Sequence, residues 1–306
     1  MQALYDVPAP AKLNLFLHVV GKRPDGYHLL QSIFTLIDWA DTLHFERRTD
    51  GLLRRHDQGD ALPEDDLCLR AARLLQAESG LGMGADIHIE KRLPAGAGMG
   101  GGSSDAASTL LALNRLWGLN WALARLLPLG LKLGADVPFF LGGHNAFVEG
   151  IGEILHPVKL PDQQYAVLKP PTGIATREIF SSSLLARSKS VAIVAGFPAH
   201  NSSDAKSAAD VVSFLDGFGR NDLQPPAEAS CSEVLQALRL LEAQFGNSRM
   251  TGSGSAVFAR VETVVDGKEG MSHQSMATIL EGLPSGWVGK ICRGLAEHPL
   301  RGWAEG

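Results

Sequence analysis

The 306-residue chain reads as an α+β protein. Three observations predict this: a strictly alternating stretch near the N-terminus, a glycine-rich loop opening onto a long apolar helix pattern, and helical periods in the second half that end on another strand pattern. In residues 11–20, Leu13, Leu15, Leu17 and Val19 share one face and Lys12, Asn14, Phe16 and His18 the other, as in a strand. Arg23-Pro24-Asp25-Gly26 places turn residues where a turn favours them. Strands are expected at 31–36 and 41–46, a polar loop over 50–66, a helix over 67–77 and a strand over 87–91. Asn120 could cap a further helix, which Pro128 should kink or end. Strands near 146–149 and 165–169 flank an expected boundary at about 155–162. Beyond it, helices are expected near 176–186, 205–216 and 232–245, then a glycine turn and a strand over 256–261.

The most informative stretch is Pro94-Ala95-Gly96-Ala97-Gly98-Met99-Gly100-Gly101-Gly102-Ser103-Ser104-Asp105. Five glycines in the seven positions 96–102 bury no side chain and weaken regular structure, so packing does not explain them. Ala106, Ala107, Leu110, Leu111, Leu113, Leu116 and Trp117 follow at helical spacing. A glycine loop feeding a helix N-terminus offers free backbone N–H groups and the positive end of the helix dipole, which is how a chain holds phosphate. A P-loop would end in Gly-Lys-Ser/Thr, and here no lysine precedes the serines. Gly96, Gly98 and Gly101 spell a dinucleotide fingerprint, but that motif also wants a carboxylate about 20 residues on. No Asp or Glu occurs between Ala106 and Ala135. Ser103 and Ser104 are natural helix N-caps, which would occupy one hydroxyl and leave the other for phosphate or metal.

Composition narrows the class further. A hydrophobic fraction of 45% with 20% charged residues is that of a globular chain long enough for two cores. A net charge of −5 argues against a general nucleic-acid or membrane-surface binder. Cys68, Cys231 and Cys292 are far apart, lack metal-ligand spacing and suit reduced thiols in a cytoplasmic protein. No signal peptide is evident, and 126–141 is broken by Pro128, Lys132 and Asp136.

The glycine loop resembles the central motif of the GHMP small-molecule kinases. Pro10-Ala11-Lys12-Leu13-Asn14-Leu15, Arg23-Pro24-Asp25-Gly26-Tyr27-His28, Leu133-Gly134-Ala135-Asp136-Val137-Pro138 and Met250-Thr251-Gly252-Ser253-Gly254-Ser255 extend that resemblance in order along the chain. They point to the branch whose acceptor is a cytidine diphosphate sugar alcohol of the non-mevalonate route to isoprenoid precursors. The resemblance implies a two-domain fold, with an N-terminal ATP-binding part over 1–157 and a C-terminal ferredoxin-like part over 158–306. It implies ATP as phosphoryl donor, with Mg²⁺ arriving on the nucleotide and no protein metal cage. Partners would be small molecules, with no nucleic acid and no membrane, and the chain a monomer or weak homodimer.

By the same resemblance Lys12 and Asp136 are the catalytic pair. Residues alone allow blander roles: Lys12 and Asn14 on the solvated face of a strand, Asp136 as a turn-former with Pro138 holding Val137 extended. Residues 94–104 would bind ATP. Asn14, Tyr27, His28 and Phe180 would bind the acceptor, the aromatic rings stacking on its base. Tyr27 could equally be core. Gly252-Ser253-Gly254 could approach the acceptor's phosphates or be a plain tight turn, and Asn221-Asp222-Leu223 could serve the site or cap a helix. Related acceptors such as homoserine or mevalonate carry no base to stack, and a catalytically dead sensor would not need both Lys12 and Asp136.

Overall fold

A computed structural model describes residues 1–59, 61–185, 219–261 and 272–304. The α+β class is what is seen. β1 (Ala3–Lys22) and β2 (His28–Arg48) form one long antiparallel hairpin. The two strands expected at 31–36 and 41–46 are a single strand, because β1 pairs along its whole length and absorbs the bending in four register shifts. β3 (Leu53–Gln58) lies within the expected loop. Its polar residues hide the strand pattern, since its side chains are held by ion pairs such as Arg55–Asp57 and His56–Asp86 and it occupies a sheet edge. α1 (Leu67–Ser79), capped by Asp66, and β4 (Gly84–Glu90) then lead to the glycine loop.

α2 (Gly101–Leu116) begins earlier than the serine caps imply: Gly100 is the N-cap residue, with φ 73°, and both serines lie inside the helix. Pro128 neither ends nor precedes α3 (Leu123–Leu133) but sits within it. Burial of Leu126, Leu129, Gly130 and Leu133 holds the helix across the missing N–H, and Asn120 does not cap it. Val137 is not extended before Pro138. It opens α4 (Val137–Gly142), whose first turn accommodates proline without losing a bond.

β5 (Ala146–Glu149) and β6 (Ile154–Pro157) close the first part of the chain. β7 (Gln164–Lys169), α5 (Thr176–Ser181), α6 (Gln224–Ser230), α7 (Ser232–Phe245), β8 (Arg249–Met250), β9 (Val257–Val261), α8 (Ser272–Glu281) and β10 (Val288–Leu295) follow. The helix expected at 205–216 falls outside the described residues, while that expected at 176–186 stops at Ser181 because Ser182 turns extended. The sheet runs β3-β4-β2-β10-β7-β9-β8, so β10, from a stretch that carried no motif, joins β2 to β7.

Three cores follow from this order. One packs α1, α2, α3 and α4 on β2 and β4 through Phe45, Leu75, Ile87, Leu110, Leu126 and Phe140. Another packs α7 on β7 and β9 through Leu168, Val234, Leu241 and Val257. Between them lies a third, where Leu13, Ile33 and Met99 meet Tyr165 and Phe258. The last described residues return to the first core: Leu300 and Ala304 are buried there, and Leu123 N–H donates to the Ala304 carbonyl at 2.8 Å.

Candidate active site

The middle of β1 is buried on both faces. Lys12 is 3% exposed and Asn14 1%, so the half-solvated strand is excluded and the two polar side chains need partners. Lys12 Nζ donates to Asn14 Oδ1 at 2.6 Å, stands 3.4 Å from Asp136 Oδ2 and lies 4.3 Å from the centre of the Phe34 ring. An ammonium taken out of water is stabilised there by a carboxylate, an amide oxygen and a ring face. Asp136 occupies the N-cap position of α4 yet makes no side-chain capping bond, which leaves its carboxylate to Lys12. Its side chain keeps 29% exposure.

The glycine loop runs directly beside this pair. Lys12 N–H donates to the Met99 carbonyl at 3.0 Å, and a Cβ at Gly100 would stand 3.3 Å from Lys12 Cγ. Gly96, Gly98 and Gly100 all have positive φ, while Gly101 and Gly102 start α2. The first N–H groups of that helix have no carbonyl one turn behind them. With the dipole they form a positive end facing the loop. Ser104 is fully buried with Oγ donating to the Pro10 carbonyl at 2.7 Å, which leaves Ser103 as the more open hydroxyl.

A cleft of about 360 Å³ opens over residues 94–103, walled on its far side by Leu62, Leu67 and Leu93. Sequence reasoning missed this apolar wall. Leu93 directly before Pro94 was the one signal available, and Leu62 and Leu67 come from a segment with no motif.

The second glycine turn packs on the first. Ser255 N–H donates to the Gly96 carbonyl at 3.1 Å and Ala256 N–H to that of Ala97 at 3.2 Å. Asn14 ties in as well: its Oδ1 accepts from Gly252 N–H at 3.0 Å and its own N–H donates to Thr251 Oγ1 at 2.9 Å. Asn221 holds the turn from behind, donating to the carbonyls of Met250 and Gly252, both at 2.8 Å. Asp222 does not cap α6; its carboxylate accepts from Val19 N–H at 2.9 Å.

Among the acceptor candidates, His28 and Phe180 are brought together, with ring centres 5.1 Å apart and planes at 27°. Tyr27 is 60% exposed beside them in sequence, so it is not core. α5, which carries Phe180, is joined to the second glycine turn by Thr176 Oγ1 and Ser253 Oγ at 2.8 Å. From His28 the strand leads to Leu30, whose N–H donates to the Gly150 carbonyl at 2.7 Å. Gly152, in the same turn, lies so close that a Cβ there would be 3.7 Å from Asp136 Oδ1. Among the described residues, no group of three or more His, Cys, Asp or Glu is placed to hold a metal ion. No helix among them is long and apolar enough to cross a membrane.

A glycine loop opening onto a helix beside a Lys–Asp pair is the arrangement expected of a small-molecule kinase, and comparison with known proteins agrees. The model of the GHMP kinases N terminal domain matches residues 66–144, and that of the GHMP kinases C terminal domain matches residues 199–269. The chain belongs to the GHMP kinase family.

Within that family it is 61% identical over 304 residues to the 4-diphosphocytidyl-2-C-methyl-D-erythritol kinase of Methylibium petroleiphilum, covering 99% of each chain. It is 55% identical over 304 residues to the enzyme of that name from Albidiferax ferrireducens, covering 99% of this chain and 96% of the relative. A crystal structure of 4-(cytidine 5'-diphospho)-2C-methyl-D-erythritol kinase superposes with a TM-score of 0.72 at 32% identity, covering 94% of this chain and 98% of that one. Homoserine kinase from Cytophaga hutchinsonii shares the fold at 16% identity, with a TM-score of 0.66.

Proposed function

We infer that this chain is an ATP-dependent kinase that phosphorylates the 2-hydroxyl of 4-diphosphocytidyl-2-C-methyl-D-erythritol, a step toward isoprenoid precursors by the non-mevalonate route. Full-length similarity to kinases of that name supports the substrate. The observation that carries the chemistry is the contact of Lys12 Nζ with Asp136 Oδ2 at 3.4 Å, on a strand bonded to the glycine loop.

Asp136 orients the acceptor hydroxyl and takes its proton. An ionised aspartate is a weak base, which suffices because a loose phosphoryl-transfer transition state builds little charge on the attacking oxygen. Lys12 holds Asp136 and offsets the negative charge that gathers around the transferring group. Backbone N–H groups of about Gly98–Ser104 hold the ATP phosphates, while Leu62, Leu67 and Leu93 offer apolar surface to the nucleotide. Mg²⁺ arriving on the nucleotide would supply charge neutralisation there. The Ser103 hydroxyl fits it best, since Ser104 is committed to Pro10.

On the acceptor side, the stacked His28 and Phe180 rings suit the face of a cytosine, with the exposed Tyr27 next to His28 in sequence. Asn14 already accepts at Oδ1 from both Lys12 and Gly252, so it serves the acceptor mainly by holding that lysine and the second glycine turn in place. The work divides between an ATP-binding part over 1–157 and a C-terminal part over 158–306. We place the chain in the cytoplasm, as a monomer or weak homodimer with small-molecule partners.

ADP release from MgATP by the purified protein tests the substrate, with 4-diphosphocytidyl-2-C-methyl-D-erythritol, mevalonate and homoserine as parallel acceptors. Turnover is expected with the cytidine compound alone. Turnover only with another alcohol would keep the kinase and discard the base-stacking slot. Tight ATP binding with no turnover on any acceptor would make the protein a sensor.

A further inference from the structure

Asp41, Lys91 and Asp105 form a buried ion cluster that no step above uses. Asp41 lies in β2 with its side chain fully buried, Lys91 directly follows β4, and Asp105 lies early in α2 at 3% exposure. Lys91 Nζ bridges the two carboxylates, bonding Asp41 Oδ2 and, at 2.6 Å, Asp105 Oδ2. The other oxygen of Asp41 accepts from Arg92 N–H at 2.6 Å and Leu93 N–H at 2.8 Å. Arg92 and Leu93 lead into the glycine loop, and Asp105 stands on the helix that leaves it. One cluster therefore grips both ends of the loop.

Its make-up is a poor way to gain stability. Two carboxyl groups share one ammonium where both Asp41 and Asp105 are buried, and a desolvated ion cluster is commonly no better than apolar packing. Asp105 Oδ1 is buried with no hydrogen-bond partner. What such a cluster does supply is direction, since charge-assisted bonds fix the groups they join more narrowly than apolar contacts. Lys91 and Asp105 also line the cleft over the loop.

We propose that Asp41, Lys91 and Asp105 are positioning residues for the phosphoryl donor: their cluster sets the separation of the loop's entrance and exit, and so the aim of its N–H groups at the phosphates. This rests on the loop being the nucleotide site. A loop freed at its base holds ATP less well, while the Lys12–Asp136 pair, fixed by Asn14 and α4, still transfers the phosphoryl group once ATP is bound.

The test compares Asp105→Ala, which releases Lys91 from α2, with Asp105→Asn, which keeps an acceptor for it. ATP affinity is read by calorimetry, and KM for each substrate and kcat by ADP release. Asp105→Ala is expected to raise Kd and KM for ATP by about tenfold or more, the scale of one charge-assisted hydrogen bond. Acceptor KM and kcat at saturating ATP should hold, and Asp105→Asn should recover most of the loss.

A folded Asp105→Ala protein with wild-type ATP affinity would overturn the proposal, as would an equal loss in both KM values or no rescue by asparagine. If Asp105→Ala does not fold, Asp41→Ala against Asp41→Asn gives the same comparison from a side chain outside the cleft lining. A wild-type protein that binds no ATP would overturn the nucleotide reading itself, and the clamp with it.

Discussion

Gly98 shows how closely single residues define this site. Its φ is 73°, and a Cβ there would meet the Thr251 carbonyl oxygen at 2.4 Å, inside any allowed contact. Gly102, four residues on, is helical, and its Cβ would stand 3.4 Å from Leu67 Cδ1, an ordinary contact. The two glycines look alike in sequence and differ in what they do. Gly98→Ala should lower the melting temperature by several degrees, from about 1–3 kcal/mol of left-handed strain with the clash added, and weaken ATP binding. Gly102→Ala should leave the melting temperature unchanged or raise it, as alanine is the better helix former. Thermal melts of both variants check this, and equal destabilisation would count against the backbone explanation. The glycine density was legible in the sequence; which glycine faced the second turn was not, because Thr251 lies far along the chain. Ser103 and Ser104 were legible as residues of the helix start, but Gly100 took the cap because a left-handed residue is needed there.

At the scale of elements, the strongest patterns were legible where local periodicity and burial agreed, as in α2 and the middle of β1. β3 was hidden because its side chains are satisfied by charge pairs rather than by apolar alternation. Lys12 and Asn14 looked like a wet face because nothing local says that loops from elsewhere cover it.

α2 also carries a pH-dependent feature. Burial, aided by the nearby Asp41 charge and opposed by Lys91, pushes the Asp105 carboxyl up to about 7. The same two carboxylates hold Lys91 above its ordinary value, so it stays charged across this range, and burial keeps the Cys68 thiol neutral. The folded Asp105 thus keeps a proton that the unfolded chain, with a carboxyl near ~3.9, has already released. Folding stability from this group is greatest at low pH and declines as pH rises from about 4 through about 7. Asp105→Asn removes that slope. Its melting temperature relative to wild type should increase between pH 5 and about pH 7 and level off above that, and a difference that does not change with pH would contradict the assignment.

In the molecule as a whole, the site exists because distant parts of the chain close on one another. β10 inserts between β2 and β7, Asn14 in β1 bonds Thr251 and Gly252, and the final residues return to α3. The order of motifs made the kinase legible, since several short motifs in one order specify a family where any one of them alone would not. The role of β10 was not, because a short buried strand without chemistry reads like any other apolar run. The N- and C-terminal family models follow one another along the chain, yet Asn14, which accepts from Lys12, is itself held by a turn that comes after residue 249. A change that breaks Lys12–Asp136 should therefore stop chemistry without disturbing either binding side.

Phosphoryl transfer from MgATP to 4-diphosphocytidyl-2-C-methyl-D-erythritol by wild type and Asp136→Asn, with KM measured for both substrates, tests this most directly. The expected result is a kcat lowered by about 10²–10⁴, the range for a positioned base, with both KM values held. An Asp136→Asn enzyme with wild-type kcat would contradict the account.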